Sequence, residues 1–283
     1  MKTILLCLLV LIGLQVPIPA IGGSFLTSFD FDQVESNGVR ILSCPSPGWS
    51  PGQLCNQISV ITWNLGQTWP DNGLHHKLKL DLSNRQGCGV KTSKDLPLTG
   101  HQRASVQFYA PDGVSDHIDL GLLGDNIPAV QVTGYFALVG RNHNRLGPGY
   151  RLAIEKATPT ANWLFPGTYP NGGVPFKFNP KRMYQLVIVA SFDAAKVLIV
   201  AFVEEWVPGT GWNRVASVNH SDKNINCETD TMGKSEGLCQ IVTGRTSFFG
   251  AVFQSNSIYF DQFSADWYPH SYVKQTRRGF DLS

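Results

Sequence analysis

The residues with the most chemical reach lie in two short segments, Tyr135-Phe136-Ala137-Leu138-Val139-Gly140-Arg141-Asn142-His143 and Arg151-Leu152-Ala153-Ile154-Glu155. Alternation predicts a strand in each, because side chains two apart share a face. In the first, Tyr135, Ala137, Val139, Arg141 and His143 fall on one side and Phe136 and Leu138 on the other. In the second, Arg151, Ala153 and Glu155 oppose Tyr150, Leu152 and Ile154. Taking Phe136 and Leu138, with Leu152 and Ile154, as the buried sets puts Tyr135, Arg141, His143, Arg151 and Glu155 on one open face. Two guanidinium groups can hold a carboxylate or sulfate through paired hydrogen bonds. A His or Tyr can then take the proton alpha to the neutralised carboxylate. Arg141, His143 and Arg151 are therefore the candidate catalytic set. A plain solvated face would carry the same residues without any of this chemistry.

Sugar binding asks for less: aromatic rings to stack on pyranose faces and a few polar groups to fix hydroxyls. Tyr135, Arg141, Arg151 and Glu155 could serve on the open face. Trp163 and Tyr169 could serve from the loop-like run Asn162-Trp163-Leu164-Phe165-Pro166-Gly167-Thr168-Tyr169-Pro170-Asn171-Gly172-Gly173. The competing reading is that these rings pin the loop to the body of the protein. Asp116-His117-Ile118-Asp119 places Asp119 on the side of His117 if extended, but reads as a surface loop. His75-His76 has no third ligand at metal spacing, and no Gly-x-Ser-x-Gly elbow occurs.

The elements that position these residues belong to a chain expected to be secreted. Met1-Lys2-Thr3 and the apolar run Ile4 to Leu14 read as a signal peptide over 1–22, too short to span a bilayer. An oxidising compartment fits the cysteines. Cys44 with Cys55, and Cys227 with Cys239, each close a polar loop and are expected disulfides; Cys88 is left over. Asn219-His220-Ser221 is a glycosylation sequon, expected in a polar loop. The chain holds 23 Lys and Arg against 21 Asp and Glu, a balance that argues against a nucleic-acid or anionic-membrane binder. No later stretch is long and apolar enough for a membrane span. The basic run Lys274 to Arg278 sits in an expected flexible tail, 271–283.

Short alternating segments separated by Gly, Pro and Asn predict an all-β chain, with one β-sandwich over 23–270. Strands are expected at 24–31, 57–63, 77–82, 104–109, 129–141, 150–156, 184–192, 196–206, 212–218, 246–253 and 257–267. The 184–206 pair reads as a hairpin in mid-sheet. Residues 44–100 fit either an insertion or extra edge strands. In the last strand, Tyr259, Asp261, Phe263, Ala265 and Trp267 are expected on one face, and Ile258, Phe260, Gln262 and Ser264 on the other.

The succession from Gly134 onward, ending in Thr243-Gly244-Arg245-Thr246-Ser247-Phe248-Phe249-Gly250-Ala251-Val252-Phe253 and Ser257-Ile258-Tyr259-Phe260-Asp261-Gln262-Phe263, resembles the concanavalin A-like lectin/glucanase superfamily. The resemblance covers about the C-terminal half and implies a jelly-roll sandwich of two antiparallel sheets with a concave glycan groove. It also implies that Asp261 and Asp30 could hold a structural calcium; no cofactor is otherwise required. The expected function is lectin-like recognition of an extracellular polysaccharide or glycoprotein glycan. The alternative is a polysaccharide lyase acting on a uronate polymer, although the Arg-x-Glu-x-Arg, Gln-Ile-His and Gly-Lys-Leu-Pro-Gly motifs of such lyases are absent. A structural coat or matrix role, with Cys88 as a cross-link, is the third reading. The Glu-x-Asp-x-x-Glu of the retaining glucanases is missing too.

Overall fold

The computed structural model describes residues 27–29, 39–41, 58–62, 76–81, 88–92, 100–124, 134–141, 146, 148–157, 162–165, 172–193, 196–223, 246–252 and 256–268. They form sixteen strands and no helix. In chain order these are β1 (Thr27–Phe29), β2 (Val39–Ile41), β3 (Ile58–Thr62), β4 (His76–Asp81), β5 (Cys88–Thr92), β6 (Gly100–Tyr109), β7 (His117–Gly124), β8 (Gly134–Arg141), β9 (Tyr150–Ala157), β10 (Asn162–Phe165), β11 (Val174–Pro175), β12 (Tyr184–Asp193), β13 (Lys196–Val207), β14 (Gly211–Lys223), β15 (Thr246–Val252) and β16 (Ser257–Tyr268). Two antiparallel sheets result. One runs β14-β13-β12-β6-β16-β4-β3 with β1 also on β16; the other runs β10-β9-β8-β7-β15-β5-β2 with β11 also on β9. We call them the back sheet and the front sheet.

The sheets face each other across one continuous apolar layer, as their alternation dictates. The back sheet contributes Ala104, Val106 and Phe108, Leu186 and Ile188, Val197, Ile199 and Ala201, and Phe260 and Phe263, all without exposure. The front sheet contributes Ile118, Leu120 and Leu122, Tyr135, Ala137 and Val139, Leu152 and Ile154, and Phe249. Phe249 meets Phe260 and Phe263 with ring centroids 5.0 and 4.8 Å apart, bolting the two C-terminal strands across the interface. A second aromatic group, Tyr150, Phe178 and Tyr184, stacks at 4.4 and 4.6 Å and closes one end.

The expected hairpin of β12 and β13 is present and lies in mid-sheet, between β6 and β14. Residues 44–100 supply β3 and β4 to the back sheet and β5 to the front one. Three expectations are corrected. The Asp116 to Asp119 segment is not a surface loop: β7 begins at His117 and pairs β8 and β15. β14 runs on to Lys223, so Asn219 is an exposed strand residue, opposite Val200, and not a loop residue. The alternation of β16 breaks at a bulge, where Asp261 opposes Gln107 and Ser264 opposes Ser105. Gln262 has φ of 46° there, and its amide donates to Asp261 Oδ1 at 2.8 Å. The extra residue brings Phe260 and Phe263 into the same core although three positions separate them. Asp261 and Phe263 therefore face opposite sides.

The outer face of the back sheet carries a polar ladder. Ser105 and Ser264 hydroxyls lie 2.7 Å apart, His101 and Ser191 pair at 2.8 Å, and Arg103 approaches Asp266 at 3.6 Å. Truncating Phe260 to Ala should cost about 3–5 kcal/mol in urea unfolding, whereas Leu198→Ala, on the outer face and 37% exposed, should change stability by less than about 1 kcal/mol.

Candidate functional site

Register fixes what the front sheet presents outward. Since Ile118, Leu120 and Leu122 point inward, His117, Asp119 and Gly121 point out. The same rule turns Phe136, Leu138 and Gly140 outward on β8, and Arg151, Ala153 and Glu155 on β9. Hydrogen-bonded neighbours then line up in rows. One row holds His117, Gly140 and Arg151; the next holds Gly250, Asp119, Leu138 and Ala153; a third holds Gly121, Phe136 and Glu155. Part of this face is itself apolar and covered: Phe136, Leu138, Ala153 and Ala157 form a small second core with Leu146.

Beside that covered patch, Asp119 stands among residues without side chains. Gly250 is its neighbour on β15 and Gly121 is two residues along its own strand. Next to Gly250 in the same row comes Gly89 of β5. Gly121 and Gly250 are both buried and place no side chain beside Asp119.

His117 organises the carboxylates. Its Nδ1 lies 2.9 Å from Asp116 Oδ1, and its Nε2 lies 3.3 Å from Asp119 Oδ2. With both ring nitrogens facing carboxylates, both act as donors and the ring is held as imidazolium. Burial disfavours that cation, but the charge of Asp119 and the contacts with both aspartates outweigh it and push the imidazole up to about 10. The site tolerates no side chain at Gly140, where a Cβ would meet Asp116 O at 2.7 Å and Leu146 Cδ1 at 2.9 Å. One oxygen of Asp119 is thus occupied by the ring. The other, Oδ1, is buried and has no hydrogen-bond partner among the described residues. A buried acceptor in that condition is costly unless something donates to it.

The expected site residues are distributed differently. The face of β8 is inverted: Tyr135 points into the core, fully buried, and donates its hydroxyl to Asp222 Oδ2. The reason is that both faces of β8 are apolar, so alternation alone cannot say which is inside. Arg141 has the parity of Tyr135, is exposed at the strand end, and lies 5.6 Å from the Tyr150 ring centroid. Arg151 is on the outer face, where Nη1 donates to Gly173 O at 2.8 Å and Nε to Pro148 O at 3.3 Å. The two arginines therefore do not converge, and Arg151 is engaged in holding two loop backbones. Glu155 is outward and buried, opposite Phe136.

Trp163 lies on β10, opposite Lys156, in a stretch expected to be a loop. His143, Tyr169, Asp30, Cys44, Cys55, Cys227 and Cys239 lie outside the described residues, and Cys88 is placed by backbone only, opposite Ala251. Asp261 is fully buried and bonded to its own bulge, and no group of three His, Cys, Asp or Glu among the described residues is placed to hold a metal. The pairing of His117 with Asp119 has the same-side placement noted in the sequence, where the segment was set aside as a surface loop. Its signal is the i, i+2 spacing, which becomes informative once β7 is known to start at His117.

The sequence matches no protein family and no curated protein. Among solved structures, the chain is similar to a Bauhinia forficata lectin in complex with GalNAc at 13% identity, over 87% of this chain and 99% of that one, with a TM-score of 0.48. It is similar to the exoplasmic/lumenal domain of VIP36 in a Ca²⁺/Man3GlcNAc-bound form at 9% identity, over 86% and 87%, with a TM-score of 0.46. A GH16 protein of a Bacteroides ovatus mixed-linkage glucan locus gives 11% identity, over 84% and 98%, with a TM-score of 0.44. At these values the likenesses assign no residue, ligand or activity to this chain.

The His117 arrangement predicts a pH dependence. A histidine raised from 6.5 to about 10 stabilises the fold fully below the unfolded value, and that contribution is withdrawn as the pH climbs through about 10. Unfolding free energy should fall over that window with a slope approaching about 1.4 kcal/mol per pH unit from this group, and His117→Gln should remove that share of the slope. An imidazole titration followed by NMR should place the His117 midpoint near 10. A midpoint near 6.5 would contradict the assignment.

Proposed function

We propose that this chain is a secreted carbohydrate-binding protein, and that an extracellular polysaccharide or glycoprotein glycan meets it on the outer face of the front sheet beside Asp119. The observation that carries the reading is the buried Oδ1 of Asp119, which has no hydrogen-bond partner among the described residues, beside Gly250 and Gly121. A sugar hydroxyl reaching Asp119 supplies a donor to this oxygen. His117 holds Asp119 turned, so the acceptor is in place before the ligand arrives. The covered apolar patch around Leu138 and Leu146 gives the site a rigid wall.

The separation of Arg141 from Arg151 leaves the lyase reading without its paired cation. Glu204 and Glu205 offer no catalytic pair either: Glu204 approaches Arg214 at 3.3 Å and Glu205 approaches Arg182 at 3.7 Å.

The test is a screen of the purified protein against immobilised glycans, followed by titration of the best ligand. Asp119→Asn should weaken binding by about tenfold or more, the loss typical of a hydrogen bond to a charged group, with the circular dichroism spectrum retained. Arg141→Ala should leave affinity within about twofold. Retained affinity in a folded Asp119→Asn protein would exclude this site.

A further inference from the structure

A different group of buried polar side chains is untouched by the proposed glycan site. Lys156 on β9 and Asp222 on β14 are both without exposure, and Lys156 Nζ lies 2.6 Å from Asp222 Oδ2. They occupy core positions. Lys156 follows Leu152 and Ile154 on the inward side of the front sheet, and Asp222 follows Ala216 and Val218 on the inward side of the back sheet. Tyr135, opposite Lys156 in the β8–β9 register and equally buried, donates its hydroxyl to Asp222 Oδ2. The other carboxylate oxygen, Oδ1, is buried with no hydrogen-bond partner among the described residues.

We propose that Lys156 and Asp222 become joined by an intramolecular isopeptide bond that ties the two sheets together. The side chains meet in a fully buried interior where two opposite charges are costly to keep, and condensation removes both. The atoms balance without a cofactor, oxidant or second substrate. Nζ attacks Cγ of Asp222, the Cγ–Oδ1 bond breaks, and Oδ1 departs as water with two of the three ammonium hydrogens. The third stays on the new amide N–H. Oδ2 stays as the amide carbonyl oxygen and keeps the Tyr135 hydrogen bond, which also steadies the negative charge that builds on it during attack. The oxygen that leaves is the one without a partner, so the reaction removes the unsatisfied acceptor along with the charges. Proximity of this kind is worth several orders of magnitude in rate to a reaction that is slow between free amine and acid.

The bond would enclose the segment carrying β10 to β14 in a covalent loop, stabilising the sandwich as a disulfide does but independently of redox conditions. The test is tandem mass spectrometry of the whole protein, reduced, unfolded and digested with trypsin. The expected result is no cleavage after Lys156 and a branched peptide joining it to the Asp222 segment, lighter by one water, about 18 Da, than its two parts. Asp222→Asn should give the same branched product by release of ammonia. Lys156→Met should give none. Tyr135→Phe, which keeps the ring, should form the branch more slowly. Complete tryptic cleavage after Lys156 in the unfolded wild-type chain, with no branched peptide, would overturn the proposal whether or not the variants fold.

Discussion

Everything in this molecule that could meet a ligand depends on one constraint, the commitment of alternate residues in each strand to the layer between the sheets. Phe249 against Phe260 and Phe263 fixes β15 and β16. Ile118, Leu120 and Leu122 fix β7 in the same way. Once those side chains are inside, a period of two sends His117 and Asp119 out, and slippage by one residue would bury both charges in the core. The outward site is therefore as firmly specified as the core.

Within that frame the electrostatics follow from local geometry. Two carboxylates face the two nitrogens of one ring, so the ring stays charged despite its burial and in turn holds Asp119 in place. The four facing atoms pair off, and Asp119 Oδ1 is left without a hydrogen-bond partner among the described residues. The opposite outer face differs in kind. Its serines, His101 and Arg103 find partners across strands and present a closed polar ladder.

Much of the architecture was legible in the sequence because the strongest strands have one clear apolar side. The β12–β13 hairpin and the β15–β16 ending fall where alternation places them. Reading failed where a second force overrode alternation. β8 is apolar on both faces, since Phe136 and Leu138 serve the small outer core, and so its inward side was misassigned along with Tyr135. The β16 bulge breaks the period through a non-glycine residue at positive φ, a feature no periodicity shows. β7 was missed because its charged start, Asp116 to Asp119, reads as a surface loop, and with it went the pairing context that makes Asp119 informative. Arg151 was read by its charge, whereas its partners are the carbonyls of Pro148 and Gly173, which only the folded chain brings near.

The most direct measurement is an amide chemical-shift map of the protein titrated with the best-bound glycan from a screen. The account predicts that the largest shifts fall on His117 to Gly121 and on their β15 neighbours around Gly250, while the ladder from His101 to Ser105 stays still. Shifts concentrated on the back sheet, or on Arg141 and Tyr150 with none at Asp119, would contradict it.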